Sequence, residues 1–324
     1  VSTHPRFHPG PRAAGPCTGR RQALGWFGAA GLAGSGLSLS LGVAGPALAA
    51  DAPALITILE GAALLIDGAR AQQAAVGVRL GAATIVETAA NAQLLRVEFN
   101  DGSVLDLGPD TKVMVLPPGL AGSGPRAPAF YLLQGWAKHG SAGVAKPGGL
   151  LSLAAEGMQA TGTTVAHATA EGLQLFIESG TLQLLERRIK APNTLTLKAG
   201  EFYARDGADK GQVSPRPAAG FLPAVPRAFR DTIPARAGAL KGRRVDPAPA
   251  PMPGYPALKP WLSAEPVIRR EFPRRFGALA KEPAFREQLV KNLATHPEWE
   301  PVLFPPKPAS TPASPYLRPD SPRS

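Results

Sequence analysis

The chain has almost no cysteine. Its single thiol, Cys17, lies ahead of an apolar run near the N-terminus, where removal of a leader would take it away. The rest of the chain would then hold neither a disulfide nor thiolate chemistry, a composition that an oxidising compartment permits without requiring. Histidine is scarce as well, with only His139, His167 and His296 beyond the leader. No His-x-x-x-His, His-Glu-x-x-His or calcium-type acidic loop occurs, so a metal would depend mostly on carboxylates, and no metal or cofactor is expected. The Gly-x-Ser-x-Gly elbow, the phosphate loop and a dinucleotide-type Gly-x-Gly-x-x-Gly after a strand are missing too, which removes the common routes to catalysis. Glu60, Glu87, Glu98 and Asp106 fall on positions that strand alternation predicts to be exposed. A glycosidase pair among them would need a carboxyl separation that sequence cannot set.

What is present begins with a targeting layout. Arg20 and Arg21 precede a Gly/Ala-rich apolar run from Ala23 to Val43, and Ala47-Leu48-Ala49 supplies a small-x-small cleavage site. The paired arginines with a mildly apolar, glycine-rich run resemble a twin-arginine export signal, so a mature chain starting near Ala50 or Asp51 in the periplasm is expected. The alternative is a membrane anchor facing the periplasm, since 21 residues at about 1.5 Å each span a bilayer of about 30 Å. Six glycines and three serines in the run weaken that alternative.

Charge and proline change together near residue 205. Residues 51–204 carry 11 Lys/Arg against 13 Asp/Glu, whereas residues 205–324 carry 20 against 11 and hold 23 of the 36 prolines. The net charge of +11 therefore belongs to the leader and the tail.

Period-two alternation in short runs marks the first part as all-β, a twisted solenoid or sandwich of short strands. Leu95, Val97 and Phe99 alternate with Arg96 and Glu98, and the turn at Asp101-Gly102 leads into Leu105 and Leu107, which predicts a hairpin. Leu173, Leu175 and Ile177 followed by Ser179-Gly180-Thr181 and Leu182-Gln183-Leu184 predict a second hairpin and suggest an internal duplication. Further strands are expected at 56–60, 84–88, 112–116, 131–138, 150–154, 163–168, 195–198 and 201–204. From Pro215 to Pro260 no periodicity survives, so an extended linker is expected. Pro283, Phe285, Leu289 and Leu293 predict a helix that Pro297 ends. The expected organisation is a leader at 1–50, a β domain at 51–205, a Pro-rich basic linker at 206–262, a basic helical tail at 263–304 and an unstructured C-terminus at 305–324.

Over residues 55–205 the β segment resembles the FecR domain. The resemblance is carried by Glu60-Gly61, Leu80-Gly81 with Ile85–Thr88, and Leu94–Leu107 around Asp101-Gly102-Ser103 leading into Gly108-Pro109-Asp110-Thr111. It continues through Leu133-x-Gly135, Gly162-Thr163-Thr164-Val165, Gly180-Thr181 and Lys198-Ala199-Gly200-Glu201. These positions imply turns and a fold rather than chemistry. Full-length regulators of that family join a cytoplasmic sigma-factor-binding part to a periplasmic domain. The short stretch before the apolar run and the lack of a βαβ pattern after 205 point instead to a standalone exported member.

The expected function is a periplasmic, non-catalytic binding or scaffolding module. A signalling component linked to sigma-factor or receptor regulation is the alternative, and an envelope hydrolase ranks third. The expected partner is an envelope protein or an anionic envelope polymer, with a membrane surface as a further option and nucleic acid excluded by export. Arg269, Arg270, Arg274 and Arg275, interleaved with Phe272 and Phe276, are the candidate patch for an anionic partner.

Overall fold

The computed structural model describes residues 54–117, 130–141, 150–153, 156–187, 192–207 and 210–306. The leader, with Arg20, Arg21, Ala47 and Ala49, and the last residues from 307 on lie outside them. Among the described residues no helix is long and apolar enough to cross a membrane.

The sequence periodicity becomes one sheet of sixteen strands, curled into a half-barrel. The chain enters through β1 (Ala54–Glu60), β2 (Ala63–Asp67), β3 (Arg70–Gln73), β4 (Arg79–Leu80) and β5 (Ile85–Thr88). The Asp101-Gly102 hairpin forms as expected between β6 (Leu94–Phe99) and β7 (Val104–Leu107), with Leu95 opposite Leu107 and Arg96 opposite Asp106. Next come β8 (Lys112–Val115), β9 (Phe130–Gly140), β10 (Leu150–Leu153), β11 (Glu156–Ala168) and β12 (Gly172–Glu186). The row closes with β13 (Asn193–Lys198), β14 (Phe202–Asp206), β15 (Gln212–Ser214) and the two-residue β16 (Pro249–Ala250). All pairings are antiparallel except β9 with β10.

The curl comes from long strands that change partners along their length. On one side β9 pairs β8 and then β7, and β12 pairs β14 through residues 172–176 and β13 through 181–186. Here the second expected hairpin is corrected. Ser179-Gly180-Thr181 is not a turn, because β12 runs straight through it for 15 residues. Gly180 faces Gly162 across the β11–β12 ladder, both at positive φ, and a Cβ on Gly180 would lie 1.9 Å from the Thr161 carbonyl oxygen. Only glycine permits that approach and conformation, so the pair bends the two strands together. The reversal lies at 169–171, where the Thr169 hydroxyl accepts from the amides of Glu171 and Gly172. Gly102 and Gly180 are thus not equivalent, and their spacing is no sign of a duplication. Gly135 and Thr163 are likewise within strands, while Gly61, Gly102 and Gly200 sit in turns.

Inside the curl, Ile56, Leu65, Val86, Val97, Leu105, Leu132, Leu175 and Leu184 form a continuous apolar interior. The outer face is apolar in two places as well. Ile66, Ile85, Met114, Leu116 and Tyr131 point outward next to inward-facing neighbours. These unbroken apolar runs are the pattern of strands buried on both faces. Their cover is the C-terminal chain: α2 (Tyr255–Leu262), α3 (Pro266–Arg269), α4 (Phe272–Arg275), α5 (Pro283–Lys291) and α6 (Glu300–Leu303), which bury Leu258, Trp261, Phe276, Leu289 and Trp299. A second outer patch, Ile58, Leu94, Val165 and Phe202, lies under α1 (Phe221–Ala224), through Phe221, and the Val225–Phe229 turn.

Proline explains the brevity of these helices. Each from α2 to α6 carries a proline in its first turn, where the missing amide costs nothing. The stretch expected to be an extended linker, 206–262, is corrected: it contains α1, two single-turn 3-10 helices and α2, and its extended part lies along the domain, where Gln73 donates to the Ala248 carbonyl at 2.8 Å and Pro249-Ala250 pairs with β3. Proline is tolerated there because the outer side of an edge strand asks for no donor.

Candidate functional site

The acids placed on predicted exposed faces are where the structure departs most from the sequence reading. Glu98 and Asp106 are buried, and so is Arg96. Arg96 donates to both oxygens of Asp106, at 2.6 and 2.7 Å, and to the Ile233 carbonyl at 2.7 Å. Burial pulls the Arg96 pKa down, but the Asp106 carboxylate outweighs it and leaves the guanidinium more strongly protonated than usual. Two residues along β6, Glu98 accepts from the Thr57 hydroxyl at 2.9 Å and from the backbone amides of Arg236 and Ala237 at 2.8 and 2.9 Å. The two charged groups thereby fasten residues 233–237 as a strap across the outer face of β6 and β1. The alternation was real, but its polar side faces a strap and not water.

The same device holds the helical cover. Glu87 accepts from Lys112 on β8 and from the Trp261 indole of α2, each at 2.6 Å. Glu186 accepts from Asn193, Tyr203 and the Gly211 amide. Burial pushes the Glu186 carboxyl up, yet these three hydrogen bonds, with Lys210 nearby, together hold it below its ordinary pKa. Glu60 is exposed at the end of β1.

The basic patch expected at Arg269, Arg270, Arg274 and Arg275 divides. Arg275 turns inward, donating to the Ile66 carbonyl at 2.9 Å, and burial lowers its pKa to about 10 although Asp67 acts against that. Arg269 joins Glu298 at 2.9 Å and the Thr295 carbonyl at 2.6 Å. Arg270 and Arg274 remain exposed, the latter 3.1 Å from Glu271.

None of the three histidines is placed beside another. His139 is buried in the interior against Phe130, with neither ring nitrogen hydrogen-bonded, and burial lowers its pKa to about 4. His167 stacks on Trp136 at 4.0 Å, and His296 lies beneath α5 with Nε2 3.3 Å from the Leu289 carbonyl. No group of three or more metal-type ligands occurs among the described residues.

Two surfaces remain for a partner. One is a recess of about 530 Å³ between the 169–172 turn, Gln134 of β9 and the α2–α3 junction, with Glu171, Arg205 and Arg269 on its wall. The other is the outward edge of β13. β15 covers the corresponding edge of β14 but ends at Ser214, ahead of Pro215, while β13 pairs only with β12 among the described residues. Sequence reasoning had all these residues but not their juxtaposition, because the turn, β9 and the helices are far apart in the chain.

Comparison with known proteins adds little to this geometry. No family model and no curated protein matches the chain. Two crystal structures of a protein from Parabacteroides distasonis ATCC 8503, provisionally assigned as an anti-sigma factor, are similar to 41% of the chain at 12% identity, with TM-scores of 0.34 and 0.32. The similar part spans 59% of those chains.

Proposed function

We propose that this chain is a non-catalytic binding or scaffolding module, exported to the periplasm, whose partner is an envelope protein or an anionic envelope polymer. One observation carries the reading: the buried acids of the sheet, Glu98, Asp106 and Glu186, and the Glu87 carboxylate each have both oxygens hydrogen-bonded by the chain itself. A general acid or base needs a lone pair or proton that a substrate can reach. These carboxylates act as struts, and the surfaces they leave open are a recess and a strand edge, both suited to recognition. The test is to incubate the purified chain with soluble periplasmic protein, sacculi and anionic vesicles, reading binding and product release together. Saturable binding to one fraction without turnover is expected, and product accumulating in proportion to time would replace the module with a hydrolase.

A second reading, a signalling component tied to sigma-factor or receptor regulation, follows from the order of FecR-like motifs over 55–205. It is also the class to which the two structural neighbours are assigned. It requires stable co-purification with a membrane regulator, which the first reading does not.

A further inference from the structure

Besides the recess and the edge of β13, the outside of the half-barrel carries a surface built from side chains. The strap at 233–237 is the middle of a longer crossing, from Phe221 to Val245. Phe221 starts it over β14, β12 and β9, packing on Phe202, Phe176 and Trp136. The Phe229 carbonyl then accepts from Lys138 on β9, the Ile233 carbonyl from Arg96 on β6, and the amides of Arg236 and Ala237 donate to Glu98. Val245 ends it beside Gly77, whose amide is bonded to Ile56 of β1. The segment therefore passes over β14, β12, β11, β9, β7, β6 and β1 in their order in the sheet, about 30 Å at about 4.8 Å between neighbours. Its anchors are backbone groups and apolar side chains, which leaves every cation along it exposed. These are Arg227, Arg230, Arg236, Lys241, Arg243 and Arg244, against the single acid Asp231. Of the six, only Arg244 has an ion pair among the described residues, with Asp246 at 3.4 Å.

We infer that this row is a docking track for a linear acidic polysaccharide, whose carboxylates pair with the cations in turn. The inference rests on the binding-module reading above and gives its polymer a place. Shape and charge select the occupant. Six cations over seven strands average about one per strand spacing, and the anchored backbone holds them there, so a linear polyanion meets them without reordering the protein. Five of the six are arginine, whose planar fork takes a carboxylate through two bonds. A bilayer fits less well, because the row bends around the outside of the curl. Phe221, Val225 and Phe229 are also spent on the sheet, leaving Leu222 as the one large apolar side chain exposed along the segment. Single-stranded nucleic acid carries its charges about 3.4 Å apart and binds by stacking on aromatic rings. The two aromatic side chains of the segment, Phe221 and Phe229, are buried. An acidic sugar chain repeats its charge on a longer step and can be held by its charges alone.

The test uses the full chain and immobilised polygalacturonate, with dextran as the uncharged control. Saturable binding to polygalacturonate alone is expected, with free galacturonate competing at least about a hundredfold less well per sugar. Arg227→Glu, Arg236→Glu and Arg243→Glu together should weaken binding about tenfold or more at an unchanged melting temperature. Arg270→Glu, Lys281→Glu and Lys291→Glu make the same change of net charge at exposed positions of the helical cover, and should weaken it less than about threefold. Equal losses in the two triple variants would overturn the inference, since net charge and not the row would then govern binding. Tighter binding to phosphatidylglycerol vesicles or to polyphosphate, lost in the first triple variant, would overturn it by giving the row another occupant. A chain that ignores polygalacturonate yet captures a periplasmic protein would overturn the track and leave the module reading intact, whereas release of free sugar with time would overturn both.

Discussion

Two covers on the outside of the half-barrel, the helices α2 to α6 and the strap at 233–237, are held by opposite means. Beneath α2 to α6 the contact is aromatic and aliphatic, with Trp261, Phe272, Phe276 and Trp299 completely or nearly completely buried and two polar anchors, Trp261 to Glu87 and Arg275 to the Ile66 carbonyl. Beneath the strap at 233–237 the contact is ionic, with Arg96, itself held by Asp106, addressing a backbone carbonyl and Glu98 addressing backbone amides. Apolar packing is non-directional and tolerates many sequences, whereas buried charge must be matched atom by atom. The helical cover is therefore stabilised mainly by area, and the strap by register.

Substitutions separate the two modes. Trp261→Ala should have the largest effect, about 4 kcal/mol of unfolding free energy, because it opens a cavity and removes a donor from Glu87 at once. Chemical denaturation is the measurement, and a loss below 1 kcal/mol would mean that the helices contribute little to the core. Asp106→Asn should cost about 3 kcal/mol by leaving the Arg96 guanidinium buried against a neutral group. The companion exchange of both partners, Arg96→Leu with Asp106→Leu, should recover part of that loss globally. Limited proteolysis would then cut within 227–237, since Ile233 loses its donor. If the double exchange restores stability and leaves the strap as resistant as before, the strap is held by its apolar contacts instead.

How much of this was legible from the sequence depends on distance along the chain. The β6–β7 hairpin was, because Asp101-Gly102 and its flanking alternation are local. The continuity of β12 was not, since Ser179-Gly180-Thr181 carries every local mark of a turn. What overrides them is Gly162, eighteen residues away, approaching so closely that the strand bends without reversing. Arg96 and Glu98 looked solvent-facing because a polar side chain satisfied by a strap has the same alternation as one satisfied by water. The runs Leu64-Leu65-Ile66 and Phe130-Tyr131-Leu132-Leu133 lack alternation, a mark of strands covered on both faces that the reading of half-buried strands passed over. The prolines after 205 signalled disrupted helix and strand, and the structure resolves that signal into first turns of short helices. The recess was illegible, being assembled from three separate stretches.

Between the two covers lies an interior that holds the ring of His139, and it gives the smallest of the three effects. Inside the fold His139 is kept neutral, with its pKa lowered from 6.5 to about 4 by burial although Asp101 acts in the other direction. Between those values the unfolded chain binds a proton that the folded chain refuses, so stability falls as pH drops through 6.5 and levels off near 4. The loss between pH 7 and pH 5 should be about 2 kcal/mol from this ring alone. His167 and His296 are also shifted down by burial, so they add to the slope in the same direction. The informative quantity is thus the difference between the wild-type chain and His139→Phe, which keeps a ring beside Phe130 and removes the titration. Denaturation at pH 7 and pH 5 should show the variant losing about 2 kcal/mol less than the wild type. Equal losses in both chains would mean that His139 is reached by water or finds a partner when protonated, and the interior would then be as wet as the strap's ionic seam.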